Sequence, residues 1–264
     1  MVRPACSRPS TEPKRTSSVC GALRPQPAQV LSGTEDAWHG SAAQAVKLLG
    51  VPCFVRLFHE FNGDWMRYYT PGDTAASGQA FRDAWKRVVG IWRDVTDQAS
   101  FIWHYAASNG LNAYHRYPGD EWVDWTANSN YTYASAQWVG FYQDYADLWQ
   151  LLGWAREYKV SMPARYTDLQ YKPLVDVFNK PHMIGEMGHF EDIRKAQWFR
   201  NAKPNLMGTF DAKQNGGFPN VLGMLYSDYG QEADPNGAAW TLDKPASGID
   251  GFRDMVNDPY FKTR

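Results

Sequence analysis

The sequence predicts an α/β protein of the (β/α)8 barrel type, and three observations predict it. From Thr34 onward, strand-like and helix-like segments alternate, the pattern of βα units around a parallel sheet. Two short apolar runs, one through Val55, Leu57 and Phe58 and one through Met183 and Ile184, each end on a glutamate, Glu60 and Glu186. Barrel strands deliver carboxylates to the mouth of a pocket in this way. Finally, 264 residues with 44% hydrophobic content suffice to bury a substantial core.

Residues 1–30 scatter Pro4, Pro9, Pro13, Pro25 and Pro27 among Ser, Thr, Arg and Lys, with Glu12 the sole acid. Such a stretch buries too little apolar surface to offset its ordering entropy, so it reads as disordered or non-native, ahead of a domain at 31–264. A helix is predicted from Asp36 to Leu49, and Gly50 and Pro52 stop it before the first strand, Cys53 to Phe58. Alternation puts Phe54, Arg56, Phe58 and Glu60 on one face of that strand, with Cys53, Val55 and Leu57 on the other. The next helix, about Gly78 to Val95, carries Phe81, Ala84, Trp85, Val88, Trp92 and Val95 as one apolar stripe. Further strands are predicted at Ser100 to His104, Trp122 to Trp125, His182 to Gly185 and Val221 to Tyr226, and a helix with aromatic packing at Tyr145 to Ala155.

A net charge of -1 gives no basis for a nucleic-acid or membrane partner, and no segment reaches the apolar length of a membrane span. The N-terminus lacks the apolar stretch of a secretory signal. Cys6, Cys20 and Cys53 have no zinc-type spacing, and Cys53, opening a strand, reads as a buried small hydrophobe. The 12 Trp, 15 Tyr and 13 Phe exceed what a core requires, and flat rings suit the apolar faces of sugars.

His59-Glu60 invites a zinc-protease reading, but the histidine required four positions after His59 is Gly63. Two glutamates at strand ends fit glycosidic cleavage instead: one carboxyl protonates the leaving oxygen, and the other attacks the anomeric carbon or activates water. No metal or organic cofactor is needed for that chemistry.

Arg56-Leu57-Phe58-His59-Glu60-Phe61-Asn62-Gly63-Asp64-Trp65 resembles the acid/base segment of glycoside hydrolase family 26, and Pro181-His182-Met183-Ile184-Gly185-Glu186-Met187-Gly188 resembles its nucleophile segment. Ile102-Trp103, the run Tyr117 to Trp125, and Asp258-Pro259-Tyr260-Phe261 extend the resemblance in consistent order from Ser32 to Phe261. The resemblance implies that Glu60 is the acid/base and Glu186 the nucleophile of a retaining double displacement, with the carboxyls about 5 to 5.5 Å apart. It also implies that Tyr131 hydrogen-bonds the nucleophile, that His59 and Trp65 line the sugar site, and that Arg56 orients carboxylates. Asn62 and Gly63 either shape the loop or touch sugar.

The implied substrate is a polysaccharide, β-1,4-mannan first. The same motifs leave open β-1,3-1,4-glucan and β-1,3-xylan, as well as an inactive remnant that at most binds polymer. The resemblance further implies a secreted monomer. In two places the chain departs from the family: Ser129 stands two before Tyr131, where an acid is usual, and Tyr226-Ser227-Asp228-Tyr229 replaces an end rich in Phe and Trp. On the family's count, strands four to eight are recognisable and strands one to three have no counterpart. The incomplete barrel is therefore expected to expose sheet edges and to aggregate when expressed alone.

Overall fold

The computed structural model describes residues 18–21, 26–106, 110–132, 147–149, 151–152, 178–212, 216–228 and 240–262. They fall into two compact units, one drawn from the chain up to Tyr105 together with Leu111–Thr126, the other from Ala106–Gly110 and Ala127 onward.

The first unit is built on parallel strands β1 (Ser18–Gly21), β2 (Cys53–Leu57) and β3 (Ala99–Ala106), neighbours in that order. Two helices precede β2, α1 (Pro27–Leu31) and α2 (Asp36–Leu49), α3 (Gln79–Arg93) links β2 to β3, and α4 (Gly110–Tyr114) follows β3, with α1 and α2 packed on α3. The bounds predicted for α2 match the helix observed. Gly50 closes it in the left-handed conformation at φ 69°, its N–H bonding to the carbonyls of Lys47 and Val46, and the helix buries His39, Ala43 and Val46. Along α3 the predicted stripe is the buried one: Phe81, Ala84, Trp85, Val88 and Trp92 are all at most 2% exposed. Transfer of such side chains from water is worth roughly 1.5–3 kcal/mol each, so this face is what holds α3 to the sheet.

Two expectations for this unit are corrected. Within the segment read as disordered or non-native, Ser18–Gly21 forms β1, with Ser18 opposite Cys53 and Gly21 opposite Arg56. Ladder bonds use backbone groups that any residue supplies, so a segment of weak β propensity can still pair the flank of β2. Pro27 then starts α1, where its missing N–H costs nothing, and Val30 is buried. Residues 1–17 and 22–25 lie outside the described residues.

The second correction concerns Trp122 to Trp125. Gly119, at φ 111°, leads into a 3-10 turn, Asp120–Trp122, and the strand β4 runs later, over Trp125–Tyr131. Asp124 fastens the approach to β3: its N–H donates to the Phe101 carbonyl at 3.1 Å and its carboxylate accepts the Phe101 N–H at 2.7 Å.

In the second unit β4 neighbours β5 (His182–Gly188), which runs parallel to β6 (Val221–Tyr226). Helices α5 (Lys195–Arg200), α6 (Ala202–Met207), α7 (Ser247–Asn257) and α8 (Pro259–Lys262) complete it, with α5 against α7. Its core gathers Ile184, Met187, Trp198, Phe199, Leu206, Phe218, Val221 and Met255. The helix predicted at Tyr145 to Ala155 lies largely outside the described residues, but Leu148, Trp149, Leu151 and Leu152 belong to the same core. None of the helices among the described residues is long and apolar enough to cross a membrane.

Three histidines are held in these interiors. Burial pushes His39 down to about 4, His182 to about 3 and His189 to about 4, from an ordinary value of 6.5. Because the folded values lie below the unfolded one, the unfolded chain takes up more protons, so stability is full above pH 6.5 and falls as pH drops toward 4. At pH 5 the expected loss is about 2 kcal/mol per histidine. Melting followed by circular dichroism at pH 7 and pH 5 checks this, and an unchanged midpoint would refute it.

Candidate active site

In the first unit, β2 ends at Leu57 and the backbone then turns sharply. Phe58 and Glu60 take φ of 46° and 50°, in the left-handed region that non-glycine residues rarely occupy. The turn breaks the strand alternation. Phe58, predicted on the same face as Glu60, instead packs its ring against Tyr68, Phe81 and Trp85 and is 4% exposed. Glu60 is left half-buried at the carboxyl end of the sheet, anchored by its own N–H to the His104 carbonyl at 3.0 Å. Such strain concentrates where a side chain has to be aimed.

Trp65 closes this arrangement. Its indole N–H donates to Glu60 Oε2 at 2.8 Å while its ring stays 55% exposed. Gly63 makes this possible, because a Cβ there would stand 2.5 Å from the indole carbons. Tyr68 donates its hydroxyl to the His59 carbonyl, pinning the same loop from the other side. Asn62 is fully buried, which favours loop-shaping over sugar contact.

Behind them, His59 packs edge-on to His104 with ring centroids 4.8 Å apart. Arg56 Nη1 lies 3.3 Å from His104 Nδ1. Guanidinium can only donate, so Nδ1 accepts and the proton of His104 sits on Nε2.

An expected outcome follows for Trp65. Replacing it with alanine removes an exposed ring and one hydrogen bond to a carboxylate, interactions worth roughly 0.5–1.5 and 1.5–3 kcal/mol. Any turnover of polymer should drop between about 30-fold and 2,000-fold with little change in melting temperature. A parallel loss of stability and activity would instead mark Trp65 as a packing residue.

In the second unit, Glu186 lies on β5 at an irregularity. Ile184 pairs with Met224 and Met187 with Tyr226, three steps along β5 against two along β6, so Gly185-Glu186 forms a bulge. Bulges re-aim side chains, and Glu186 is half-exposed in a strand whose other residues are buried. Tyr131, at the end of β4, donates its hydroxyl to Glu186 Oε2 at 2.8 Å. Its oxygen also lies 2.7 Å from Ser227 Oγ. Since the phenol has one proton and gives it to the carboxylate, Ser227 is the donor to Tyr131.

Tyr131 is itself backed by Trp240, with ring centroids 4.6 Å apart, and the Trp240 N–H donates to the Thr132 carbonyl at 2.9 Å. Both rings press on Gly188, where a Cβ would stand 2.6 Å from Trp240 and 2.8 Å from Tyr131. His182, neutral through burial, donates from Nε2 to Asn128 Oδ1 at 3.0 Å, and Asn130 donates to the same oxygen at 2.8 Å. This buried polar set fixes β4 beside β5.

The structure thus gathers Arg56, His59, Glu60, Asn62 and Trp65 in the first unit and Tyr131 and Glu186 in the second. Ser227 and Trp240 were not predicted as site residues. Ser227 stood in the sequence only as a departure from the family pattern, and Trp240 follows no strand-end signal.

Residues 29–156, which include Glu60 and Tyr131, match the model of glycosyl hydrolase family 26. That match spans a little under half of the chain. The chain is 23% identical over 239 residues to Endoglucanase H of Acetivibrio thermocellus, covering 86% of this chain and 22% of that protein. It is 32% identical over 79 residues to a mannan endo-1,4-beta-mannosidase of Bifidobacterium adolescentis, covering 28% of this chain and 8% of that protein. The family 26 β-mannanase structure of Bacteroides ovatus is similar with a TM-score of 0.56 and 14% identity over 88% of this chain and 61% of that one. At that identity the likeness shows the fold alone, an α/β arrangement of the (β/α)8 type. The chain spans less than two thirds of each of these relatives.

Proposed function

We propose that this chain is a retaining endo-β-1,4-mannanase of glycoside hydrolase family 26 in which Glu186 is the nucleophile and Glu60 the acid/base. The observation that carries the reading is the Ser227-Tyr131-Glu186 chain of hydrogen bonds, which holds Oε2 and so sets the plane in which the carboxylate faces the sugar. In the first step Glu186 forms an ester to the anomeric carbon as the glycosidic C–O bond breaks, and Glu60 gives its proton to the departing oxygen. In the second, Glu60 takes a proton from water, whose oxygen attacks the same carbon and expels Glu186. Each acid ends as it began, and no metal enters the balance. Trp65 supplies an exposed ring beside the acid for stacking against the sugar.

Mannan is placed first because the relatives named as mannanases include the one with the highest of the quoted identities. A second reading, β-1,3-1,4-glucanase activity, is favoured by Endoglucanase H, whose alignment covers far more of this chain. The polymeric substrate also makes secretion part of the proposal. Hydrolysis of galactomannan, mixed-linkage β-glucan and β-1,3-xylan, assayed side by side, tests it. Release of manno-oligosaccharides from galactomannan alone is the expected result; release from glucan or xylan alone would move the substrate, and binding without turnover on all three would overturn the enzymatic reading.

A further inference from the structure

Lys195, the first residue of α5, is fully buried. Its Nζ donates to the carbonyl oxygens of Thr241 at 2.6 Å and Lys244 at 2.7 Å. The stem passes Gly248, where a Cβ would stand 3.0 Å from Lys195 Cδ and 2.3 Å from the Leu242 carbonyl oxygen. Burying an ammonium group is costly, and its charge strengthens both hydrogen bonds to the carbonyls. Its surroundings support the charge: Glu191, Asp192, Asp228 and Asp243 all favour the protonated form, while His189, also facing it, is kept neutral by burial.

Two of these acids grip the same turn. Glu191 accepts the Thr241 hydroxyl at 2.8 Å and Asp228 accepts the Leu242 N–H at 2.9 Å. The residue just before the turn is Trp240, 2% exposed, whose ring backs Tyr131. A continuous path of contacts therefore runs from Lys195 through the 241–244 turn, Trp240 and Tyr131 to the carboxylate of Glu186.

We propose that Lys195 is a positioning residue for Glu186, clamping the 241–244 turn so that Trp240 holds Tyr131 and Tyr131 holds the carboxylate. This rests on the reading of Glu186 as nucleophile. Burial brings Lys195 down to about 8, so the charge that strengthens both carbonyl hydrogen bonds is present at neutral pH and is lost, weakening the clamp, as pH rises through that value. Lys195→Arg keeps the charge at every accessible pH, and Lys195→Met keeps the stem without it.

The test is amide hydrogen exchange of segments 240–245 and 131–132, read by mass spectrometry from pH 7 to 9.5 and corrected for intrinsic rates, alongside steady-state kinetics. In the wild type, protection of both segments is expected to fall at least tenfold across pH 8. In Lys195→Arg that fall disappears, and in Lys195→Met protection is low at every pH. In the kinetics, Lys195→Met is expected to lower kcat at least tenfold with KM within about threefold, and Lys195→Arg to restore most of kcat and remove the alkaline limb near pH 8. A Lys195→Met protein with wild-type exchange and kcat overturns the proposal. If that variant does not fold, the same alkaline midpoint in Lys195→Arg as in the wild type overturns it instead. If no form hydrolyses any glycan, the nucleophile reading falls separately, and the exchange of 131–132 alone decides whether Lys195 acts on Tyr131.

Discussion

With Glu186 as the proposed nucleophile, Glu186→Ala is expected to abolish hydrolysis of polymer, a loss on the order of 10⁴-fold or more, and added azide to restore part of the activity on an activated aryl glycoside. Removing the carboxylate takes away the group that forms the ester, and the space it leaves admits a small anion to the same face of the anomeric carbon. The rescued product is a glycosyl azide of inverted configuration, identified by mass spectrometry and NMR. Tyr131→Phe, which leaves the carboxylate but removes the hydrogen bond to Oε2, is milder and serves as the control for orientation alone. Failure of azide to restore anything, with the variant folded, would count against Glu186 as nucleophile.

Glu60→Ala has a different signature. Loss of the proposed acid is expected to slow cleavage of unactivated glycosides by about 10²–10⁴-fold, yet a leaving group that needs no protonation still departs. Activity on aryl glycosides with strongly acidic phenols is therefore expected to survive the first step, with the ester accumulating because its hydrolysis lacks a base. A burst of phenol followed by a slow steady state is the measurement. The two variants must differ in this way, and identical loss on every substrate would remove the division of roles.

The sequence made visible those elements whose signals are local. The limits of α2 follow from Gly50 and Pro52, and the buried face of α3 from spacings of three and four. The two glutamates were legible because each closes an apolar run.

What escaped was set by tertiary contacts or by unusual backbone. Phe58 reads as a continuation of the strand, and only the left-handed turn there sends its ring to the α3 side. β4 was displaced because Thr126, Asn128, Ser129 and Asn130 are polar yet buried, and their partners, such as His182, lie far along the chain. An apolar alternation cannot register them. β1 escaped for the opposite reason, since its pairing to β2 rests on backbone groups rather than on side chains. Ser227 is one short polar residue after a strand, and nothing in its neighbourhood signals that its hydroxyl meets Tyr131.

The central claim is a double displacement on a β-mannosidic bond, and the stereochemistry of the first product tests it most directly. Proton NMR of a manno-oligosaccharide digest, recorded in the minutes before mutarotation equilibrates the reducing ends, distinguishes the two anomers. The account predicts that the β-anomer appears first and the α-anomer only afterwards; an α-anomer formed first would require single displacement by water and would contradict it.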